Sequence, residues 1–153
     1  MQVPKTKIIL AADHGGFELK EKLKKVLQAN DIIFEDLSPK MVEGDDYPDI
    51  AFRAAQKVAK NKELGIFLCG TGLGMCIAAN KVKGIRAAMA YDEATARLSR
   101  QHNDANVLCL GGRTTDEKTA TIILKTWLTT RFLEGHYTRR TEKIKRFEGG
   151  FPL

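Results

Sequence analysis

Three short stretches carry the side chains able to do chemistry. Cys69-Gly70-Thr71-Gly72-Leu73-Gly74 sets a thiol directly before three glycines at alternating positions. Glycines so spaced let backbone N–H groups approach an anion, and the helix expected next points the positive end of its dipole at the same place. A thiol there feels a field that favours the thiolate, a nucleophile or a general base. The dinucleotide fingerprint would need glycine where Met75 stands, and the Walker loop would need Gly-Lys-Ser/Thr, which is absent. A lone glycine-rich loop is as often a tight strand-to-helix turn with no ligand. Cys69 at the strand end tips that balance towards a site, whereas Cys76 and Cys109 read as small core residues.

The second stretch is Asp13-His14-Gly15-Gly16, a carboxylate and an imidazole where the first apolar run ends. An aspartate alone would be an ordinary helix cap; beside a histidine and two glycines it favours a site. The third is Gly111-Gly112-Arg113, an arginine at a strand exit, where a guanidinium suits phosphate. Two further groups read more plainly. His102 and Asn103, in Ser99-Arg100-Gln101-His102-Asn103-Asp104, fit a helix C-terminus with a favourable histidine and an asparagine cap. His136-Tyr137-Thr138-Arg139-Arg140-Thr141-Glu142-Lys143 fits a solvated basic face.

Short apolar runs and amphipathic stretches must position these groups. Strands are expected at 7–12, 32–34, 64–68, 86–90 and 107–110. Between them fall helices at 16–30, with Lys20, Lys22, Lys24 and Lys25 opposite the apolar face, from Asp49 through Lys60, from the glycine loop to Lys81, and at 92–101. A long helix from Thr115 or Asp116 to about Phe132 and a basic helix from about Arg139 to Phe147 complete the chain. Strict alternation implies parallel crossovers and a three-layer α/β sandwich, whose ligand sits where loops leave the carboxyl ends of the strands. All three chemical stretches fall there.

Composition bounds the possibilities. With 153 residues, 43% of them hydrophobic, the chain makes one domain over 1–153 with an ample core. No apolar run is long enough for a membrane span or a signal h-region, and three widely spaced cysteines suit neither a disulfide framework nor a CxxC metal site. A reducing cytoplasm is the expected setting. The net charge of +6 invites a nucleic-acid reading, but residues 113–153 hold nine basic and five acidic side chains and so most of the excess. A local cluster differs from a basic protein, and Tyr137 and Phe147 are thin support for a stacking surface. No nucleic-acid or membrane partner is expected.

Taken together, ADHGGFELK, DYP, CGTGLG, AANKVKGIRAA, SRQHNDANVL, GGR and RRTEKI resemble the ribose-5-phosphate isomerase B group, which also contains galactose-6-phosphate isomerase subunits and allose-6-phosphate isomerases. The resemblance runs through nearly the whole chain. It implies a Rossmann-like five-stranded parallel sheet with helices on both faces, in a homodimer with active sites shared between subunits, a tetramer being the alternative. By the same resemblance Cys69 is the proton-abstracting base, supported by Thr71, with Gly70, Thr71, Gly72, Leu73 and Gly74 forming the anion hole. Asp13 and His14 bind the sugar and its phosphate, His102 opens the furanose ring, Asn103 binds substrate, Tyr47 lines the pocket, and Arg113 and Arg140 clamp the phosphate. Some members carry a glutamate base where Met75 stands and lack the cysteine; the cysteine form applies here. Where many members read Arg-His-x-Arg-Arg, this chain has His136 in place of the first arginine.

Aldose–ketose interconversion needs a base for the proton alpha to the carbonyl, a place for the enediolate charge and a group that moves protons between oxygens. Cys69 supplies the first, the loop N–H groups the second, and His102 or Asp13 the third. The arginines hold the remote phosphate, whose binding energy positions the reacting carbon. No metal or cofactor is required. The expected substrate is D-ribose 5-phosphate with D-ribulose 5-phosphate; the nearest rival is a six-carbon sugar phosphate, and a phosphate- or nucleic-acid-binding module stands further off.

Overall fold

A computed structural model describes residues 6–151. Five parallel strands run β1 (Ile8–Ala12), β2 (Phe34–Asp36), β3 (Leu64–Cys69), β4 (Ala87–Met89) and β5 (Val107–Gly111), in the spatial order β2-β1-β3-β5-β4. Six helices intervene or follow: α1 (Phe17–Gln28), α2 (Tyr47–Asn61), α3 (Leu73–Ala79), α4 (Glu93–Asn103), α5 (Glu117–Thr129) and α6 (His136–Glu148). The chain leaves β1 towards β2, returns to the other side of β1 as β3, and so reverses direction between β1 and β3. That reversal opens a crevice at the carboxyl ends of these two strands.

The sheet is buried on both faces, and alternate residues of β1 show the division. Ile8, Leu10 and Ala12 pack under Leu19, Leu23 and Leu27 of α1 and Ile123, Leu124 and Trp127 of α5; Ile9 and Ala11 face Ile50, Ala54 and Val58 of α2 and Met75 and Ala79 of α3. Strands buried on both faces need unbroken apolar runs, which is why IILAA and LGIFLC carry no charge. α6 lies outside this sandwich against α4.

Several boundaries differ from expectation, each for a local reason. β2 is Phe34–Asp36 rather than 32–34, because pairing with β1 starts at Ile8 opposite Phe34 and leaves Ile33 exposed. α2 starts at Tyr47, with Asp46 rather than Asp49 in the N-cap position and no capping bond from its side chain; Pro48 sits in the first turn, where a missing N–H costs nothing. α3 stops at Ala79, two residues short of the expected end, and α5 stops at Thr129. α4 runs through Asn103 because Asp104, in the left-handed region at φ 46°, provides its C-cap. α6 begins at His136, three residues early, after Gly135 at φ 60° turns the chain.

Lys20 is a larger correction. The sequence puts it on the solvated face of α1, yet it is fully buried. Its ammonium donates to both oxygens of Asp36, at 2.9 and 2.7 Å, and to the Ser38 carbonyl. The pair anchors the end of β2 to α1 and fixes where the β2–α2 loop departs.

Candidate active site

The exits of β1, β3 and β5 are knitted into one floor. The Asp13 N–H donates to the Leu68 carbonyl at 3.2 Å, Gly112 N–H to Cys69 at 2.8 Å, and Arg113 N–H to Gly70 at 2.9 Å. The loops touch so closely that a methyl group on Gly15 would lie 2.8 Å from the Gly70 nitrogen. Any side chain there would force the loops apart.

Cys69 ends β3 almost completely buried, and its sulfur accepts the Gly72 N–H at 3.1 Å. Gly72 can aim that N–H because it adopts φ 82°, a conformation side chains resist. Thr71 is exposed, and its hydroxyl oxygen accepts the Leu73 N–H at 3.3 Å. The thiol therefore sits behind a turn of backbone N–H groups, the arrangement expected of a base beside an oxyanion site.

Around it stand four further groups. Asp13 is 7% exposed and accepts the Gly16 N–H at 3.0 Å; burial pushes its carboxyl above the ordinary carboxylate range. His14 contacts Asp45, whose hydrogen bond raises the imidazole above its usual value. Arg113 is exposed and lays its guanidinium over Gly70, at 3.3 Å from where a methyl group would stand. Tyr47, from the start of α2, packs its ring against Gly74, with a methyl position only 2.8 Å away. Asp13, His14, Cys69, the loop from Gly70 to Gly74, Tyr47 and Arg113 thus share one end of the sheet. Asp13, His14 and Asp45 each place a donor atom within 4.8 Å of the others, the one such cluster among the described residues that could hold a metal ion.

The remaining expected residues lie elsewhere in the chain. α4 runs back from the carboxyl edge to the opposite edge, so His102 and Asn103 close it beside Asp104, whose carbonyl and carboxylate hold Arg86 ahead of β4. The His102 ring stacks on Tyr137 at 4.2 Å between centroids and 9° between planes. Tyr137 also contacts His136 at 3.9 Å and lies under the Arg140 guanidinium at 5.7 Å. His102, His136, Tyr137 and Arg140 form a second cluster, cationic and partly exposed. The chain brings the two clusters to opposite edges of its own sheet.

Sequence reasoning missed two features. Asp45 gave no signal beyond its place just before DYP. Cys76 is half-buried rather than core, and its hydrogen bond with Cys109 lowers the thiol to about 7 while burial drives Cys109 well up. A period-based reading of α3 could not see that β5 delivers a second sulfur there.

Fold and site define a doubly wound parallel α/β protein with a buried thiol behind a glycine-rich turn at its topological switch point. The family model described as Ribose/Galactose Isomerase matches residues 8–144. A curated relative, the probable ribose-5-phosphate isomerase B of Mycoplasma genitalium, is 46% identical over 144 residues, spanning 92% of this chain and 95% of that one. The crystal structure of ribose-5-phosphate isomerase B from the same organism, with ribulose 5-phosphate bound, superposes with a TM-score of 0.90 at 44% identity, over 94% and 96% of the two chains. D-erythrulose-4-phosphate isomerase 2 of Mycolicibacterium smegmatis is 42% identical over 130 residues, 82% of this chain and 86% of that one. The chain belongs to the ribose/galactose isomerase family.

Proposed function

We propose that this protein is an aldose–ketose isomerase that interconverts D-ribose 5-phosphate and D-ribulose 5-phosphate through an enediolate, in the non-oxidative pentose phosphate pathway. The observation that carries the reading is its likeness, along nearly all of both chains, to an isomerase holding ribulose 5-phosphate. The buried thiol facing a backbone N–H turn agrees with it.

In this reading Cys69 removes the proton alpha to the carbonyl, and the N–H groups from Gly70 to Gly74 receive the enediolate charge. Thr71 steadies the turn. Asp13, whose raised affinity for protons suits exchange with a hydroxyl, handles oxygen protons beside His14. Tyr47 walls the sugar, and Arg113 draws the phosphate. His102 opens the furanose ring, Asn103 binds the sugar, and His136 with Arg140 completes the phosphate clamp.

In this reading the last four residues come from a second copy of the chain, and their place at the far edge of the sheet supports it. A homodimer with crossed sites supplies them. Leu73 and Ile77, one turn apart on α3, remain 55% and 63% exposed, with Tyr91 after β4 at 67%, an apolar area that a partner subunit would cover. No helix among the described residues is long and apolar enough to cross a membrane. A cytoplasmic enzyme agrees with this and with the free thiols.

A substrate panel tests the reading. The purified protein, given ribose 5-phosphate, erythrulose 4-phosphate, allose 6-phosphate and galactose 6-phosphate, should show its highest kcat/KM on the pentose. A higher value on the four-carbon or six-carbon compounds overturns the pentose assignment, and salt-sensitive nucleic-acid binding with no isomerisation overturns the enzyme.

A further inference from the structure

His14 is held by a residue 31 positions further along the chain. One oxygen of Asp45 accepts the His14 backbone N–H at 2.9 Å and faces Nδ1 of the same ring at 2.8 Å. Backbone and imidazole are thereby fixed by a single carboxylate, and Nε2 is the ring nitrogen left for a ligand. The loop that delivers Asp45 is built for the purpose. It is tied down at its start, where Ser38 Oγ accepts the Ala12 N–H at 2.8 Å and Lys20 donates to the Ser38 carbonyl. Residues 39–44 are then all exposed, and Asp45 is the first to turn inwards again.

We propose that Asp45 is a positioning residue for the reaction: it locks the His14 ring with Nδ1 bound to the loop and presents Nε2 to the phosphate or an anionic oxygen of the sugar. This role rests on the isomerase reading of the site. The charged groups around the imidazole are Asp13 on its own loop and Glu43 and Asp45 on the β2–α2 loop, while Arg113 lies over Gly70 on the neighbouring turn. The Asp45 hydrogen bond is the largest influence favouring the protonated ring, Asp13 and Glu43 add to it, and desolvation opposes it. Because its folded value is raised, His14 keeps its charge to higher pH than a free imidazole and loses it only as pH climbs through that raised value.

Two variants separate orientation from charge. Asp45→Asn keeps an oxygen acceptor and removes the charge, whereas Asp45→Ala removes both. Long-range proton–nitrogen correlation spectra of the full chain, with His102→Asn and His136→Gln samples assigning the three histidines, read His14 without substrate. The parent should show Nδ1 protonated and a midpoint above that of a free imidazole. Asp45→Asn should keep the tautomer and titrate lower, and Asp45→Ala should lose both features. With ribose 5-phosphate, Asp45→Ala should raise KM about tenfold, the loss of one charge-assisted contact, and leave kcat within about twofold. Asp45→Asn should match the parent KM at low pH and diverge from it as pH rises. An unchanged tautomer and midpoint in Asp45→Ala overturns the proposal, as does a fall in kcat at constant KM. If no sugar phosphate is turned over by the parent, the isomerase reading fails, while the spectra still decide whether Asp45 governs His14.

Discussion

Two variants that are each dead should restore one another when paired. On the proposed roles, Cys69→Ala removes the base and His102→Asn the group that opens the ring, so each alone should be nearly inactive on ribose 5-phosphate. The fold sets the distance between the two groups within a chain. Cys69 lies opposite Gly111, the last residue of β5, while His102 closes α4 just ahead of Val107, the first. Four strand steps of about 3.3 Å separate those ends by roughly 13 Å. Each group has to come within about 3 Å of its own atom of the sugar, so a gap of that size favours a site shared between two chains. In a crossed dimer, the mixed pair joins Cys69 of one chain to His102 of the other in one of its two sites. Random pairing makes half the dimers mixed, and the recovered rate is about a quarter of the parent's. Differently tagged chains, co-expressed and purified through both tags, give the mixed dimer directly, and ribulose 5-phosphate formation measures it at about half the parental rate. The double variant Cys69→Ala/His102→Asn, paired with the parent, gives the mirror result: crossed sites are both broken, in-chain sites leave one intact. Doubly tagged mixed dimers with no recovered activity would refute the shared site. A parent–double-variant dimer at half rate would do the same.

Two substitutions probe what supports the thiol. Gly72→Ala forces a side chain into φ 82° and to 2.9 Å from the Leu110 carbonyl carbon, which should cost about 2 kcal/mol by denaturant titration and depress turnover by moving the N–H off Cys69. Parent-like stability and rate would mean that the turn accommodates a side chain at Gly72 without moving the N–H off Cys69. Lys20→Met removes the buried ammonium between Asp36 and Ser38, leaves Asp36 with Lys24 alone among its lysine partners, and should lower stability by about 3 kcal/mol in the same assay. An unchanged unfolding midpoint would show that Lys24 compensates fully.

The fold was legible because burial on both faces leaves a coarse trace. Runs such as IILAA and LGIFLC admit few placements other than central parallel strands, and amphipathic stretches between them admit few other than covering helices. Edge elements were less legible. β2 slipped by two residues because three half-buried positions carry almost no periodic signal, and the register was settled by its neighbour. Lys20 was misplaced for a similar reason: helical periodicity marks a lysine as outward-facing unless a distant carboxylate draws it in. The thiol loop, the Asp13–His14 pair and Arg113 were legible as site candidates because each follows a strand, and strand exits in such sheets converge.

By itself the sequence determined the succession of elements, the candidate reactive groups and the edge of the sheet at which most of them emerge. These depend on local chemistry: side-chain period, glycine at turns, and charge excluded from buried strands. Tertiary structure alone decided which groups meet. It joined Asp45 to His14 across a loop, set Cys76 beside Cys109, and carried His102 with Arg140 to the edge opposite Cys69. Contacts between residues tens of positions apart arise from how whole elements pack, and packing is a property of every residue in the core at once, which no short motif records.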